Sequence, residues 1–456
     1  MKCAITTVRG PSMATPSAYP SPIWQERSGP ASNTGEPARA AHFQCAAHSF
    51  VSLLQQNGSG MIISLKDAAV ALAALATLAL LMWAMPEKDQ LGRPLVVSCL
   101  LGAAFGLVLQ RSRFCFWCMA RDFFERRDPR GLLGILAALA VGGIGYSLLL
   151  GIWVPVPSSG RLPPDAHVGP VSWVLAVGAF AFGLGMAFSG SCISAHFYRL
   201  GEGAYGSLIA LAGAATGFVG GFLSWNWLYL SAIQGAPVLW LPAYLGHGGA
   251  LATQLALLSV LALWLVRYWP EAESSPVKAP ENGGQPKLQR LFSARWPAIT
   301  GGVLVGWIAL LAYLRTGPLG VTAELGSLAR TAASQTGLLP ETLLGLDGFA
   351  GCATLVKEML WSRNGVFVAG LVLASIIAAR VTGGYAPVRV RLRDVPRLYL
   401  GGLLLGWGAM VSLGCTVGVL LSGIMAGAVS GWVFGLFCLT GAYAGWFLKG
   451  ILPPLR

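Results

Sequence analysis

Long apolar segments separated by short polar stretches fill the chain from residue 66 onward. A helix needs about 20 predominantly apolar residues to cross a bilayer. Candidate segments of this kind are residues 68–85, 95–110, 132–154, 171–189, 204–223, 250–266, 297–314, 366–379, 399–413 and 429–447. The pattern predicts an all-α, polytopic transmembrane protein whose main solvent is the lipid bilayer.

Two polar stretches divide the chain. Residues 1–60 are rich in Pro, Ser, Ala and Gly and lack apolar periodicity, which predicts a disordered leader or a protein that starts at Met61. Residues 270–296 are polar and contain proline, as expected for a cytoplasmic linker. The predicted organisation is therefore a first transmembrane repeat at 61–269 and a second at 297–456. The moderately apolar stretch 317–352 predicts short or re-entrant helices.

Composition agrees with a membrane protein. The chain is 55% hydrophobic and 11% charged, whereas soluble domains carry about 25% charged residues. The formal charge of +13 raises the possibility of nucleic-acid binding. However, the basic residues form short runs beside apolar segments, such as 389–397, which is typical of cytoplasmic loops. Stretches 155–170 and 224–249 contain few Lys or Arg and are predicted on the opposite face. We expect a multi-pass protein of the cell inner membrane without a nucleic-acid partner.

Two apolar segments share one spacing of small residues and cysteine. The first contains Gly183, Gly185, Ser189 and Cys192, and the second contains Gly406, Gly408, Ser412 and Cys415. In each, the cysteine follows the first glycine by nine residues, and Ser207 and Ser430 then match at one further offset. Glycine-interrupted helices in corresponding positions of two halves indicate a binding site. We expect helix breaks at Gly190 and Gly414, with half-helix N-termini that favour an anion.

The cysteines suggest what the site binds. Each predicted half has a cysteine, then an apolar stretch, then a second cysteine: Cys115 and Cys192 in the first, Cys352 and Cys415 in the second. A thiol is small, polarizable and a weak hydrogen-bonding group, so it suits a soft sulfur or selenium atom. Burial as a small hydrophobic residue is the ordinary role of a membrane cysteine, but the duplication favours a site at Cys192 and Cys415. The total of nine cysteines is odd and argues against a disulfide framework.

Two further residues are less decisive. Cys118 forms a CxxC pair with Cys115, but no second CxxC accompanies it, so no metal site is expected and the role of Cys118 stays open. His196 lies one helical turn after Cys192 and is included as a candidate for anion or proton contact. A packing role is favoured for it, because the matching residue of the second segment is Val419. No phosphate-binding GxxxxGK[ST] motif occurs, and no cofactor is expected.

The sequence RSRFCF around Cys115 and the two glycine–cysteine segments resemble the YeeE/YedE family of sulphur-transport membrane proteins, over about residues 66–450. The resemblance implies two pseudo-symmetric halves whose short broken helices meet at a central constriction. It also implies that Cys115, Cys192 and Cys415 pass thiosulfate along by S–H contacts, and internal symmetry adds Cys352. After Cys192 the chain departs from the family pattern, with Ala195 in place of a glycine.

The expected function is an inner-membrane permease, rather than an enzyme, that moves a sulfur-containing anion inward along cysteine thiols, with thiosulfate as the first substrate to test. By family analogy, a small soluble sulfur-carrier protein is a possible companion. Three alternatives stay open. They are a selenium-compound permease, a soft-metal permease using Cys115, Cys118 and His196, and a membrane sulfurtransferase with a persulfide on Cys192 beside His196.

Overall fold

The computed structural model describes residues 64–89, 92–158, 160–163, 165–269, 295–340, 342–346 and 361–451. Within these ranges the chain is helical, with a few isolated β-bridges between loops. The predicted leader, most of the predicted linker and Cys352 lie outside the described residues.

The helices follow one another through short connections. The first part of the chain forms α1 (Leu65–Ala84), α2 (Leu95–Ser112), α3 (Phe116–Arg126), α4 (Arg130–Trp153), α5 (Trp173–Ser189), α6 (Ile193–Gly201), α7 (Gly206–Leu228) and α8 (Leu241–Val266). The second part forms α9 (Ala298–Arg315), α10 (Val321–Gln335), α11 (Arg363–Val381), α12 (Val395–Val411), a π-helix (Thr416–Gly423) and α13 (Val429–Ile451). Helix α7 continues as a single π-helical turn, Tyr229–Ile233.

The prediction of a polytopic all-α membrane protein is confirmed. Among the described residues, 9 helical spans are long and apolar enough to cross a membrane, and a pair bent by 42°, Leu392–Val411 with Thr416–Gly423, would make a tenth. Two of the nine are themselves broken, since Leu95–Arg126 joins α2 to α3 and Trp173–Gly201 joins α5 to α6. The amphipathic α10 occupies the moderately apolar stretch that was expected to contain short helices.

Large apolar side chains cover the outside of the helices. Trp83 on α1, Leu148 on α4 and Leu263 on α8 are more than half exposed. A soluble protein rarely leaves broad apolar surface in water, so these faces are suited to lipid.

Glycines bring the central helices into backbone contact. Helix α12 packs against both α5 and α7. On α12, a Cβ at Gly406 would overlap the carbonyl oxygen of Ala214, and on α7 a Cβ at Gly217 would overlap that of Leu403. Small residues permit such close approach, which replaces the hydrophobic driving force that is missing between helices in lipid. The contact between α7 and α12 therefore has no room for a larger side chain.

Substituting Gly406→Val should lower the thermal stability of the detergent-solubilised protein. The added atoms must push α12 away from Ala214, and overpacking of this kind costs about 1–3 kcal/mol. Gly151→Ala on α4 is the matched control, because a Cβ there meets no atom within 4 Å. A melting temperature of the Gly406→Val protein equal to that of wild type would contradict the close packing.

Candidate functional site

Three helix breaks each place a cysteine at the start of the following short helix. Cys115 is the N-cap residue of α3, Cys192 that of α6 and Cys415 that of the π-helix. All three side chains are at most 2% exposed. The first N–H groups of a helix have no intrahelical partner and carry partial positive charge. Each cysteine thus lies where an anion is favoured.

The predicted breaks at Gly190 and Gly414 are both present. Gly190 ends α5 with φ 87°, and Gly414 has φ 155° after Leu413 at φ 59°. A Cβ on Gly190 would meet open space, so glycine is needed there for its backbone conformation rather than for room.

At each of these two breaks, a serine side chain donates a hydrogen bond to one buried carbonyl that has lost its helical partner. Ser189 Oγ donates to the carbonyl of Ser191 (3.1 Å), and Ser412 Oγ donates to that of Gly414 (3.2 Å). In both, the serine reaches a backbone oxygen two residues ahead. The serines of the duplicated motif thus supply hydrogen bonds that the interrupted helix cannot.

The break before Cys115 was not predicted. Helix α2 ends at Ser112, and Arg113 adopts a left-handed conformation with φ 50°. The amide of Phe114 then closes the helix end by donating to the carbonyl of Leu109 (3.0 Å). No glycine marks this turn, and the only signal in the sequence is the polar run at 110–113 inside an apolar region.

Cys115 and Cys192 form a buried pair. Their sulfur atoms lie 4.0 Å apart and both side chains are 0% exposed. Ser194 Oγ lies 3.4 Å from the sulfur of Cys192. The backbone N–H groups of Phe116 and Ala195 also face this sulfur. The N-termini of α3 and α6 therefore converge on one point, which combines two thiols with several N–H donors.

Cys415 lies at the second break and faces a different environment. Its sulfur accepts a hydrogen bond from the amide of Val417 (3.4 Å). The residues on both sides of it, Ser412, Leu413 and Val419, line a cavity of about 300 Å³. The second break is thereby connected to open space that a small anion can occupy.

A loop between α4 and α5 forms the other wall of this cavity, through Asp165, His167 and Gly169, and Ser430 at the start of α13 completes it. The amide of Gly169 donates to Ser430 Oγ (3.3 Å). These loop residues were not predicted from the sequence. Their only signal is an Asp and a His within an otherwise weakly charged stretch, which does not by itself distinguish a cavity wall from an exposed loop.

Ion pairing fastens the loop. Asp165 pairs with Arg93, and Arg93 also donates to the carbonyl of Thr316 (2.7 Å), which accepts from Arg363 as well.

Burial lowers the pKa of His167 to about 4, so its imidazole is neutral at pH 7. The cavity therefore offers hydroxyl, amide and neutral imidazole groups, while the charge of Asp165 is balanced by Arg93.

The remaining candidates occupy separate positions. His196 is buried one turn along α6, where its Nδ1 lies 3.1 Å from Ser207 Oγ; no hydrogen-bond partner of its Nε2 is found among the described residues. Cys118 is half-buried and accepts a hydrogen bond from Arg199 (3.2 Å). In the described part of the chain, no cluster of three or more His, Cys, Asp or Glu side chains is arranged to hold a metal ion.

Comparison with known proteins identifies the family. The family model described as sulphur transport matches residues 111–444, which include all three described break cysteines. The chain is 28% identical over 380 residues to the thiosulfate transporter TsuA of Escherichia coli, covering 78% of this chain and 94% of the relative.

Two more distant relatives agree with this match. The thiosulfate transporter TsuA of Spirochaeta thermophila is 26% identical over 377 residues, covering 77% of this chain and 97% of its own. The probable transporter YedE of Salmonella typhimurium is 26% identical over 188 residues, covering 40% of this chain and 44% of its own. These relatives are named as transporters rather than enzymes. The chain therefore belongs to the sulphur-transport (YeeE/YedE) family of multi-pass membrane transport proteins.

Proposed function

We propose that this protein is an inner-membrane permease that carries thiosulfate inward along Cys415, Cys192 and Cys115. The observation that carries the proposal is the placement of each of these thiols at the N-terminus of a short, buried helix. The relatives named thiosulfate transporters support the choice of substrate. Cys352, added from internal symmetry, belongs to the same hypothesis but lies outside the described residues.

The chemistry of the site suits an anion with one soft and one hard end. Thiosulfate has a terminal sulfur, which a polarizable thiol can contact, and oxygen atoms, which accept hydrogen bonds from N–H groups. Near Cys192 the structure offers both kinds of group, the thiol of Cys115 and the amides of Phe116 and Ala195. Neutral donors and helix ends bind an anion less tightly than a full cation in a low-dielectric site, so release stays possible.

The two ends of the proposed path face different loops. The cavity at Cys415 is bounded by the Lys- and Arg-poor stretch 155–170, which we place on the outer face. The end of α6 lies beside the basic stretch 389–397, since Ala204 forms a β-bridge with Val388. Positively charged loops face the cytoplasm, so we place this end of the path on the inner face, where an anion moving inward leaves the protein. We propose a small soluble sulfur-carrier protein as the partner that uses the transported thiosulfate on this face.

Replacing either central cysteine should abolish most of the transport. For Cys192→Ala and for Cys415→Ala, we expect initial uptake of labelled thiosulfate into proteoliposomes to fall roughly ten- to hundredfold. A hydrogen bond to a charged group contributes about 1.5–3 kcal/mol, and 1.4 kcal/mol corresponds to a factor of ten.

Cys99→Ala is the control for this experiment, because Cys99 is equally buried but packs on α2 against Val366, in a separate cluster. Melting temperatures show that each variant is folded. Selenite and copper serve as competitors. Wild-type-like uptake by both Cys192→Ala and Cys415→Ala would rule out the thiol path, and transport of selenium or copper in place of thiosulfate would assign a different substrate.

Filling the outer cavity should block transport without touching a cysteine. At Gly169 a Cβ would make only ordinary contacts, 3.8 Å from Leu413 and 4.0 Å from Ser430, so a longer side chain there extends into the cavity. We expect Gly169→Trp to reduce uptake at least about tenfold, since a bulky ring occupies a substantial part of a void that can hold only a small ligand. Gly169→Ala should transport like wild type. Equal uptake by the Trp and Ala variants would show that substrate reaches Cys415 by another route.

A further inference from the structure

A third sulfur extends the buried cysteine pair toward the protein surface. Cys118 lies one turn after Cys115, the N-cap residue of α3, within the same short helix. Cys115 and Cys192 are fully buried, whereas Cys118 is half-buried. Of these three cysteines, Cys118 is therefore the one nearest to the protein surface.

A guanidinium group contacts Cys118. Arg199 Nη2 donates to Cys118 Sγ (3.2 Å), and Arg199 Nη1 donates to the carbonyl of Gly190 (3.4 Å). Arg199 belongs to α6, which begins at Cys192. The two short helices that bring Cys115 and Cys192 together thus also bring together Cys118 and Arg199, about one and two turns further along.

This second pair lies apart from the cavity, since no cavity-lining residue belongs to α3 or α6. Arg111 and Arg113 end α2 on this side, and the amide of Trp296, next to the linker, donates to the carbonyl of Arg111 (3.1 Å). The cavity, by contrast, lies beside the loop that contains His167. An anion that has passed the Cys115–Cys192 pair would meet Cys118 and Arg199 next.

We propose that Cys118 and Arg199 form an inner, release-side subsite for the transported anion. The guanidinium binds the oxygen atoms, for which its planar array of donors is suited, and the Cys118 thiol contacts the terminal sulfur. The bound anion takes the place of the direct contact between Arg199 and Cys118. This inference rests on the proposed function and extends it, because it assigns a binding role to a cysteine outside the three break positions.

The subsite has a chemical preference that distinguishes it from a simple basic surface. An anion that combines a soft sulfur with hard oxygens uses both partners, whereas sulfate uses only the guanidinium. Binding at Cys118 should therefore respond to thiosulfate and much less to sulfate. An adventitious electrostatic effect would respond to both anions alike, because both carry two negative charges.

Protection of Cys118 from alkylation tests the subsite on the wild-type protein. The reconstituted protein is treated with N-ethylmaleimide, and modification of the Cys118 peptide is followed by mass spectrometry with thiosulfate, with equimolar sulfate or with neither. We expect saturating thiosulfate to slow modification at least about fivefold and sulfate to have little effect, as a bound anion covers the thiol. Labelled thiosulfate uptake is measured on the same preparation.

Arg199 variants separate binding from structure. Arg199→Gln should remove the protection by thiosulfate and lower the maximal uptake rate several-fold, while Arg199→Lys, which keeps the charge but not the planar donors, should retain part of both. Arg126→Gln, an exposed arginine at the end of α3, is the control and should behave like wild type.

The results distinguish this inference from the proposed function. Wild-type protein that takes up thiosulfate but shows no protection of Cys118 would overturn the subsite alone. Equal protection by thiosulfate and sulfate would also overturn it. Wild-type protein that takes up no thiosulfate would overturn the proposed function and the subsite with it. Protection by thiosulfate that requires Arg199 would establish the subsite.

Discussion

A helix break inside a bilayer exposes backbone N–H and C=O groups that cannot turn to water, and the architecture of this protein depends on how that cost is met. The breaks before Cys115, Cys192 and Cys415 are all enclosed by other helices. At the breaks before Cys192 and Cys415, a serine of the same segment donates to a carbonyl that the interrupted helix releases. The N–H groups at the start of each following helix are then the groups that an anion can use. Broken helices and buried N–H groups that suit an anion are therefore consequences of one constraint.

The glycines that recur in the sequence also bring the two helices that precede the breaks, α5 and α12, into close contact. On α5, a Cβ at Gly185 would meet the carbonyl of Gly401, and on α12 a Cβ at Gly408 would meet that of Gly178. The helices that precede the two breaks are thus in direct backbone contact with each other. The glycines that pack the helices and the glycines that break them are neighbours in one segment. Packing of α5 on α12 fixes where Gly190 and Gly414 interrupt the chain.

Hydropathy predicted the membrane spans because lipid imposes a length and a polarity on every helix that crosses it. Glycine spacing likewise predicted the breaks at Gly190 and Gly414. By contrast, the break at Cys115 depends on Arg113 adopting a left-handed conformation, which local sequence rarely specifies for a residue other than glycine. The contact of Cys115 with Cys192 depends on how the start of α3 meets the start of α6, a tertiary relation that spacing along the chain does not contain.

The cavity beside His167 and Leu413 was not predicted from the sequence, for a related reason. Its walls combine a loop that has no periodic pattern with residues of the second break, so neither part identifies it alone. His196 is the reverse case: the sequence marked it as a candidate site residue, but in the structure its Nδ1 lies within hydrogen-bonding distance of Ser207 Oγ. Proposed roles that depend on Cys352 stay predictions, because that residue lies outside the described part of the chain.

Charge is distributed unevenly along the proposed path, and this distribution bears on turnover. The cavity walls formed by described residues include no lysine or arginine, and the one charged group there, Asp165, is paired with Arg93. At Cys192 the donors are thiols, a hydroxyl and backbone amides. A full cation beside an anion in a low-dielectric interior would hold it too strongly for rapid release. The guanidinium of Arg199 is instead half-buried, and it contacts Cys118 rather than the buried sulfur pair. In the proposed path, weak partners at the centre and a half-buried cation at the end leave each site able to release the anion.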